Sequence, residues 1–271
     1  MPESPLRWAG SKRSLLPEIR TLIPLEADRY IEPFVGSGCV FFDRVPREAL
    51  LSDFNGELVH FFQQLRDSPK RISSSLERLA PTGDDFYIVR SQIPSDMTSG
   101  ERAARFLYLN RFAFNGVYRT NRSGAFNVPR GSRTGHLPSL GQLEMLSHAL
   151  AGVSILQRDY LEATSEADSG DYVYLDPPYR NATRPTYGEY GYGAFGMDED
   201  VQKLALELRR LNKIGARVIL SFNDDAEILS ALEGWTVRRI ERRRSVAGSA
   251  KHRTALTGEI LAYNFTAVAH A

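Results

Sequence analysis

The sequence has little of the chemistry that builds disulfide or metal frameworks. Its 271 residues include one cysteine, Cys39, which excludes disulfide bonds within the chain and cysteine-rich zinc sites. The five histidines show no metal-ligand spacing, and no Gly-Lys-Ser/Thr phosphate loop is present. We therefore expect a protein that holds no metal.

Long apolar runs are missing as well. Nowhere do 18 apolar residues follow one another, and residues 1–3 do not begin a charged and apolar leader. We therefore expect a cytoplasmic protein without a membrane-spanning segment. The length is sufficient for a substantial core, and the net charge of +1 gives no overall preference for an acidic partner.

Acidic residues are absent from one long interval. Between Glu101 and Glu144 there is none, whereas the interval contains seven arginines. They are Arg102, Arg105, Arg111, Arg119, Arg122, Arg130 and Arg133. A second basic cluster, at 238–253, contains Glu241 as its only acidic residue. Two such concentrations of positive charge are typical of surfaces that bind a phosphate backbone, and a solvated face is the alternative.

Alternating strands and helices predict the fold. A strand at 28–34 enters the glycine turn at 36–38 and then a helix, and a second strand at 49–52 ends at Asp53. Further strands are predicted at 153–156, 172–175, 217–221, 235–240 and 259–265. Helical segments and polar loops replace this alternation from about 57 to 149. We therefore predict a doubly wound α/β sheet from residues 1–56 and 150–271, with a mainly helical inserted domain at 57–149.

The four residues that follow the predicted strand at 172–175 are the most informative in the chain. They are Asp176, Pro177, Pro178 and Tyr179. Because proline fixes φ and lacks an N–H, the carbonyl oxygens of Asp176 and Pro177 stay free to accept hydrogen bonds. A carboxylate, a carbonyl and an aromatic ring at one strand end suit a planar ring that carries an amino group. A stiff exit from the strand is the alternative.

Gly36 and Gly38 indicate a cofactor at the same edge of the sheet. A glycine turn at the carboxyl end of a strand lets a cofactor approach the backbone closely. Asp53, at the end of the next strand, is placed to hold a ribose diol. A nicotinamide site would require a third glycine where this chain has Phe41, so the dehydrogenase interpretation is weakened.

Six segments in order resemble the Dam family, of the D12 class and α group of N6-adenine DNA methyltransferases. They are residues 6–12, 32–38, 51–55, 109–119, 124–129 and 176–179. The resemblance implies a Rossmann-like methyltransferase domain with an inserted target-recognition domain. It also implies S-adenosylmethionine as the cofactor, S-adenosylhomocysteine as its product and double-stranded DNA as the partner. We expect a monomer.

The resemblance implies roles for individual residues. Trp8, Lys12, Gly36, Gly38, Asp53, Asp159, Tyr160 and Asp176 would bind the cofactor. Asp176, Pro177, Pro178 and Tyr179 would be catalytic. Arg7, Asn115, Val117, Arg119, Asn127, Pro129 and Arg133 would contact DNA, with G-A-T-C as the implied target. Asp159 and Tyr160 also fit an ordinary turn, and Val117 and Pro129 also fit packing of the insertion.

The implied reaction requires an adenine that leaves the duplex, at a cost of about a few kcal/mol. Tyr179 would stack on this base, and the Asp176 carboxylate and the Pro177 carbonyl would accept the two hydrogens of its exocyclic nitrogen. We expect direct in-line methyl transfer without a covalent enzyme intermediate. Phe195, Asn223 and Asp224 are further candidates for the base pocket, with a core aromatic and a helix cap as alternatives. An N-methyltransferase for RNA or a protein amide, and a catalytically silent DNA-binding protein, are the competing interpretations.

Overall fold

The computed structural model describes residues 2–24, 27–79, 83–132, 135–178, 198–243 and 256–267. Every structural statement below concerns these residues. The predictions for Arg133, Tyr179 and Phe195 lie outside the described residues.

The described strands form one mixed sheet. They are β1 (Arg29–Glu32), β2 (Glu48–Asp53), β3 (Ser154–Gln157), β4 (Tyr172–Leu175), β5 (Arg217–Asn223), β6 (Thr236–Arg243) and β7 (Leu256–Tyr263). Their order is β3-β2-β1-β4-β5-β7-β6. Neighbouring strands run parallel from β3 to β5, whereas β7 is antiparallel to both β5 and β6. This architecture confirms the predicted α/β fold class.

Helices cover both faces of the sheet. They are α1 (Leu16–Arg20), α2 (Cys39–Arg44), α3 (Gly56–Asp67), α4 (Pro69–Leu76), α5 (Gly83–Ser91), α6 (Ser99–Phe112), α7 (Leu140–Ala149), α8 (Tyr160–Thr164), α9 (Asp198–Ile214) and α10 (Ala226–Ala231). The core residues of α1 to α7 share one cluster, and those of α8 to α10 share the other.

Alternation along β4 shows how one strand serves both clusters. Tyr172 and Tyr174 belong to the cluster on the side of α3, whereas Val173 and Leu175 belong to the cluster on the side of α9. Successive side chains of a strand point to opposite faces, so a strand buried on both sides is apolar throughout. The unbroken apolar run at 172–175 is therefore explained by its central place in the sheet.

Local sequence signals start and stop the helices next to the site. The Asn55 side chain accepts hydrogen bonds from the N–H groups of Glu57 and Leu58 and so caps the start of α3, directly after β2. The next helix, α4, begins at Pro69, as the missing N–H of proline allows in the first turn. The end of β2 and the start of α3 are thus held in one tight connection.

The helices of the 57–149 interval pack on the sheet itself. Phe62 on α3 and Leu107 on α6 belong to the same buried cluster as Tyr30 on β1 and Leu51 on β2. A separate hydrophobic core for this interval is therefore not a feature of the described residues. The limits of the inserted domain stay a prediction.

The strand order places a switch point between β1 and β4. From β1 the chain proceeds to β2 and β3 on one side, and it then returns to β4 on the other side. In open α/β sheets ligands bind at the carboxyl ends of the strands beside such a point. Glu32 and the residues after Leu175 lie at these ends, which identifies this edge as the candidate site.

Candidate functional site

Positive φ angles and close neighbouring side chains favour glycine in the turn after β1. Gly36 and Gly38 have φ angles of +46° and +66°, in the left-handed region that favours glycine. A Cβ atom on Gly36 would lie 3.0 Å from Cδ1 of Trp8. The Gly38 N–H donates to the Val35 carbonyl at 2.6 Å. The backbone of this turn therefore faces the Trp8 indole directly.

Asp53 holds this turn to the end of β2. One oxygen of its carboxylate accepts the Gly36 N–H at 3.1 Å, and the other accepts the Asn55 N–H at 3.0 Å. The carboxylate is buried, and two N–H donors offset the cost of that burial. The structure brings Asp53 and the glycine turn together. A contact with a ribose stays a prediction.

Trp8 packs between the glycine turn and two aromatic residues, Tyr118 and Phe106, the second of which lies on α6. Its indole stacks on Tyr118, with ring centroids 6.2 Å apart and planes 20° apart, and it lies 6.3 Å from Phe106. Aromatic pairs at such distances contribute about 0.5 to 1.5 kcal/mol beyond area burial. The indole is thus fixed between the turn and the helix.

Lys12 forms an ion pair with Asp176, the residue at the end of β4. The distance from Lys12 Nζ to Asp176 Oδ1 is 2.6 Å, and the exposed fractions of the two side chains are 4% and 18%. The ammonium also donates to the Gly10 carbonyl at 2.9 Å. Removal of one partner from a buried pair leaves an uncompensated charge and costs about 3 to 5 kcal/mol. This short ion pair fixes the orientation of the Asp176 carboxylate.

Glu259 on β7 is a site residue that sequence reasoning missed. Its Oε1 lies 3.5 Å from Lys12 Nζ and accepts a hydrogen bond from Ser221 Oγ on β5 at 3.0 Å. Glu259 pairs with Asn223 in the sheet register, so it lies at the carboxyl end of β5. The one signal in the sequence is a carboxylate followed by the apolar run at 260–263.

Glu32, the last residue of β1, was also missed. Its carboxyl is buried, and the Tyr30 hydroxyl donates to it at 2.9 Å. Burial raises the pKa of Glu32 well above its ordinary value, and the nearby carboxylates of Asp176 and Asp53 raise it further. Glu32 therefore adds a weakly acidic group beneath the ion pair.

Asp159 and Tyr160 lie at the start of α8. The Asp159 side chain caps this helix by accepting the Leu161 N–H at 2.9 Å, which is the turn alternative for this residue. Tyr160 is buried and stacks on Phe34, with ring centroids 5.2 Å apart. Since Phe34 precedes the glycine turn, Tyr160 packs against the candidate cofactor site. Cofactor contacts for both residues stay a prediction.

Asn223 and Asp224 follow β5. Asp224 accepts a hydrogen bond from Arg239 Nε at 2.8 Å, and the cap of α10 is Asp225. The alternative prediction, that Asn223 and Asp224 cap a helix, was therefore wrong by one residue.

Asn110 on α6 connects the N-terminal segment to the 115–119 segment. Its Oδ1 accepts the Arg7 N–H at 2.8 Å, and its Nδ2 donates to the carbonyls of Arg7 at 2.6 Å and Gly116 at 3.3 Å. Arg7 also donates from Nη1 to the Arg111 carbonyl at 3.1 Å. Arg7 is thereby held beside the predicted reading segment, more than a hundred positions along the chain.

The predicted reading residues lie on one compact segment. Thr120 and Phe126 form an antiparallel bridge, so residues 119–127 fold back as a short hairpin. Arg119 Nε donates to Asn127 Oδ1 at 2.8 Å, and the Asn127 N–H returns a bond to the Arg119 carbonyl at 3.1 Å. The Phe114 N–H donates to the Pro129 carbonyl at 2.9 Å. These bonds connect Arg7 to the segment that carries Asn115, Val117, Arg119, Asn127 and Pro129.

The described residues form neither a metal-ion cluster nor a membrane-spanning helix. The part of the chain that the structure describes contains no group of at least three His, Cys, Asp or Glu side chains that could hold a metal ion. None of the helices in the described part of the chain combines the length and the apolar character that crossing a membrane requires.

Comparisons with known proteins agree with the geometry. A family model described as D12 class N6 adenine-specific DNA methyltransferase matches residues 8–246. A type II methyltransferase, M1.LlaDCHI of Lactococcus lactis subsp. cremoris, is 30% identical, over 96% of this chain and 94% of that protein. The DNA adenine methylase of Vibrio cholerae serotype O1 is 29% identical, over 89% of each chain. The DNA N-6-adenine-methyltransferase of Escherichia phage P1 is 32% identical, over 89% of this chain and 33% of its own length.

Glu32 predicts a pH dependence of stability. Because its pKa is raised above the unfolded value of about 4.3, the folded protein keeps a proton that the unfolded chain releases. The contribution of Glu32 to the free energy of unfolding therefore falls as the pH rises from about 4.3 towards the raised pKa. The Glu32→Gln variant has no titrating carboxyl at this position and therefore lacks this pH dependence. Urea unfolding at a series of pH values should show the variant gaining stability relative to the natural protein as the pH rises, and parallel curves would contradict this.

Gly116 predicts a steric coupling to Arg7. A Cβ on Gly116 would lie 2.4 Å from Arg7 Cβ, whereas a Cβ on Gly124 would meet nothing within 4 Å. Both glycines have positive φ, so Ala costs about 1 to 2 kcal/mol at either position. Gly116→Ala should additionally displace Arg7 and weaken DNA binding, measured by fluorescence anisotropy at fixed salt. Equal binding by Gly116→Ala and the control Gly124→Ala would show that the close approach has no role.

Proposed function

Because the chain belongs to the D12 class N6 adenine-specific DNA methyltransferases, we propose that it transfers a methyl group from S-adenosylmethionine to N6 of an adenine turned out of duplex DNA. The chain is thus an adenine-specific DNA methyltransferase, and the proposal concerns its cofactor, its base flipping and its target. The observation that carries the proposal is the Asp176 carboxylate, held by Lys12 at the end of β4 beside the glycine turn. We place the reaction in a cytoplasmic monomer.

The residues around the glycine turn fit S-adenosylmethionine. The cofactor supplies a methyl group on a positively charged sulfur, which is electrophilic. The backbone at Gly36 and Gly38 has no side chain that would block a close approach, and Trp8 closes the turn from one side. Asp53 lies where ribose hydroxyls would need an acceptor. In this proposal Lys12, Asp159 and Tyr160 complete the surroundings of the cofactor.

Asp176 would activate the amino group that receives the methyl group. The N6 lone pair of adenine is delocalised into the ring, so this nitrogen is a poor nucleophile. The Asp176 carboxylate and the Pro177 carbonyl are two acceptors for its two hydrogens, and the ring of Pro178 restricts the backbone that follows that carbonyl. Hydrogen bonds to both would hold the amino group out of the ring plane and localise the lone pair. Positioning and electrostatics therefore carry the proposed transfer, and the amino group would release one proton to water as its nitrogen gains the methyl group.

A base inside a duplex cannot reach this site. Extrusion of the adenine costs about a few kcal/mol, and stacking on an aromatic ring returns about 1 to 3 kcal/mol. We assign this stacking role to Tyr179, the aromatic residue that follows the two prolines. Arg133 is assigned a supporting contact near the base that loses its partner.

Arg119 is the proposed reader of guanine. Its Nε is occupied by Asn127, which fixes the plane of the guanidinium group and aims the two terminal nitrogens. Two parallel donors match O6 and N7 of guanine and discriminate by about 1 to 3 kcal/mol against another base. Val117 and Pro129 would meet thymine methyl groups, and Asn115 and Arg7 lie beside them. We therefore propose G-A-T-C as the target.

The first prediction from this mechanism concerns Asp176. Both Asp176→Ala and the isosteric Asp176→Asn should remain folded and lose about a hundredfold or more in methyl transfer, because a preorganised acceptor at the reacting centre is removed. Tritiated-methyl incorporation into DNA measures the activity, and circular dichroism checks the fold. The control is Asp67→Ala, whose carboxylate pairs with Arg66 at the protein surface. Substantial turnover by Asp176→Asn would refute the assigned role.

The second prediction concerns the target sequence. Plasmid DNA treated with the enzyme should resist a nuclease that is blocked by N6-methylated G-A-T-C. Arg119→Ala should reduce discrimination at one guanine by about 10- to 100-fold. The control Arg122→Ala, on the exposed part of the same hairpin, should weaken binding to all sequences alike. Complete cleavage of the treated plasmid would eliminate G-A-T-C as the target, and equal effects of the two variants would remove Arg119 as its reader.

A further inference from the structure

Glu259 is a carboxylate in a place that disfavours charge. It is 5% exposed, and the next three residues of β7, at positions 260–262, are fully buried. A buried charge costs free energy unless it is paired and hydrogen bonded. Its Oε1 satisfies this requirement with the Ser221 hydroxyl at 3.0 Å and the Lys12 ammonium at 3.5 Å. Folding of the strand alone gives no reason for a carboxylate here, since an apolar side chain would avoid the cost.

Lys12 is held from three directions. Among the described residues, its ammonium lies near three acceptor oxygens: it donates hydrogen bonds to two of them and forms a longer ion pair with the third. They are the Gly10 carbonyl at 2.9 Å, Asp176 Oδ1 at 2.6 Å and Glu259 Oε1 at 3.5 Å. A lysine side chain is flexible and binds through a point charge, so a single partner would leave it free to swing. The three acceptors together fix the position of the ammonium.

We propose that Glu259, oriented by Ser221, is a positioning residue for methyl transfer: it anchors the Lys12 ammonium, and Lys12 in turn fixes the catalytic carboxylate of Asp176. This inference rests on the proposed function, because it assigns Asp176 to the reacting amino group. The chain of contacts connects β5, β7, the N-terminal segment and the end of β4. The antiparallel strands β5 and β7 thereby support the site at the switch point.

The distances assign different parts to the two carboxylates. The Lys12 ammonium lies 2.6 Å from Asp176 and 3.5 Å from Glu259, so Asp176 is its main partner. Glu259 lies at the longer distance and acts mainly through charge. Glu32 also interacts electrostatically with Asp176 from the end of β1. Among these described groups, the Lys12 ammonium therefore lies between the carboxylates of Asp176 and Glu259. Loss of the Glu259 carboxylate would let Lys12 shift relative to Asp176.

A double-mutant cycle tests the proposal. Glu259→Gln should lower the single-turnover rate of methyl transfer about 10- to 100-fold, because a small displacement of a catalytic group is sufficient for such a loss. The Kd values for S-adenosylmethionine and for duplex DNA should stay within about twofold. In a Lys12→Met background, Glu259→Gln should cause no further loss, since residues that act as one unit are not additive. Glu233→Gln, in an exposed turn after α10, is the matched control and should keep full activity.

Ser221→Ala keeps the negative charge of Glu259 and removes its hydrogen bond. We expect a smaller loss of the same kind, again absent in the Lys12→Met background, and this variant tests the proposal if Glu259→Gln fails to fold. Equal losses in the natural and the Lys12→Met backgrounds would overturn it, because Glu259 would then not act through Lys12. Full activity of Glu259→Gln would overturn it as well. Activity of Asp176→Asn would instead overturn the proposed function, so the two failures are distinguishable.

Discussion

The partly buried ion pair between Lys12 and Asp176 connects parts of the chain that no local interaction would bring together. The N-terminal segment supplies the ammonium, and the end of β4 supplies the carboxylate. A carboxylate at the edge of a sheet has several rotamers, and its partner selects one of them. Every chemical role proposed for this site requires that one orientation. The glycine turn, the support from Glu259 and the packing of Trp8 all serve the same small volume at the carboxyl ends of the strands.

The segment proposed to read DNA is attached to this site through hydrogen bonds between the Asn110 side chain and the main chain. Asn110 binds the main chain of Arg7 on one side and of Gly116 on the other, and Arg7 lies five positions before Lys12. The N-terminal segment therefore contacts both Gly116, in the segment proposed to read DNA, and the carboxylate of Asp176. In this account the target base and the reacting amino group are placed by one continuous stretch of chain.

Sequence reasoning succeeded where the cause is local. The apolar run at 172–175 followed by two prolines, and the glycines at 36 and 38, predict a strand end and a tight turn from the properties of single residues. It failed where the cause is a distant partner. Lys12 and Asp176 are 164 positions apart, and neither local sequence indicates that the two side chains form an ion pair. Glu259 lies in a strand that was predicted, but only the register with β5 shows that its carboxylate reaches the site. Likewise, the prediction of helical segments between 57 and 149 did not reveal that α3 and α6 share the core of the sheet.

A crystal structure of the enzyme with S-adenosylhomocysteine and a duplex that contains G-A-T-C would test the central claim most directly. The account predicts an extruded adenine with N6 within about 2.6 to 3.2 Å of an Asp176 oxygen, and Lys12 still paired with that carboxylate. It also predicts the sulfur of the cofactor on the opposite side of N6. A structure in which Asp176 points away from the base, or in which the base pocket lies elsewhere on the sheet, would contradict it.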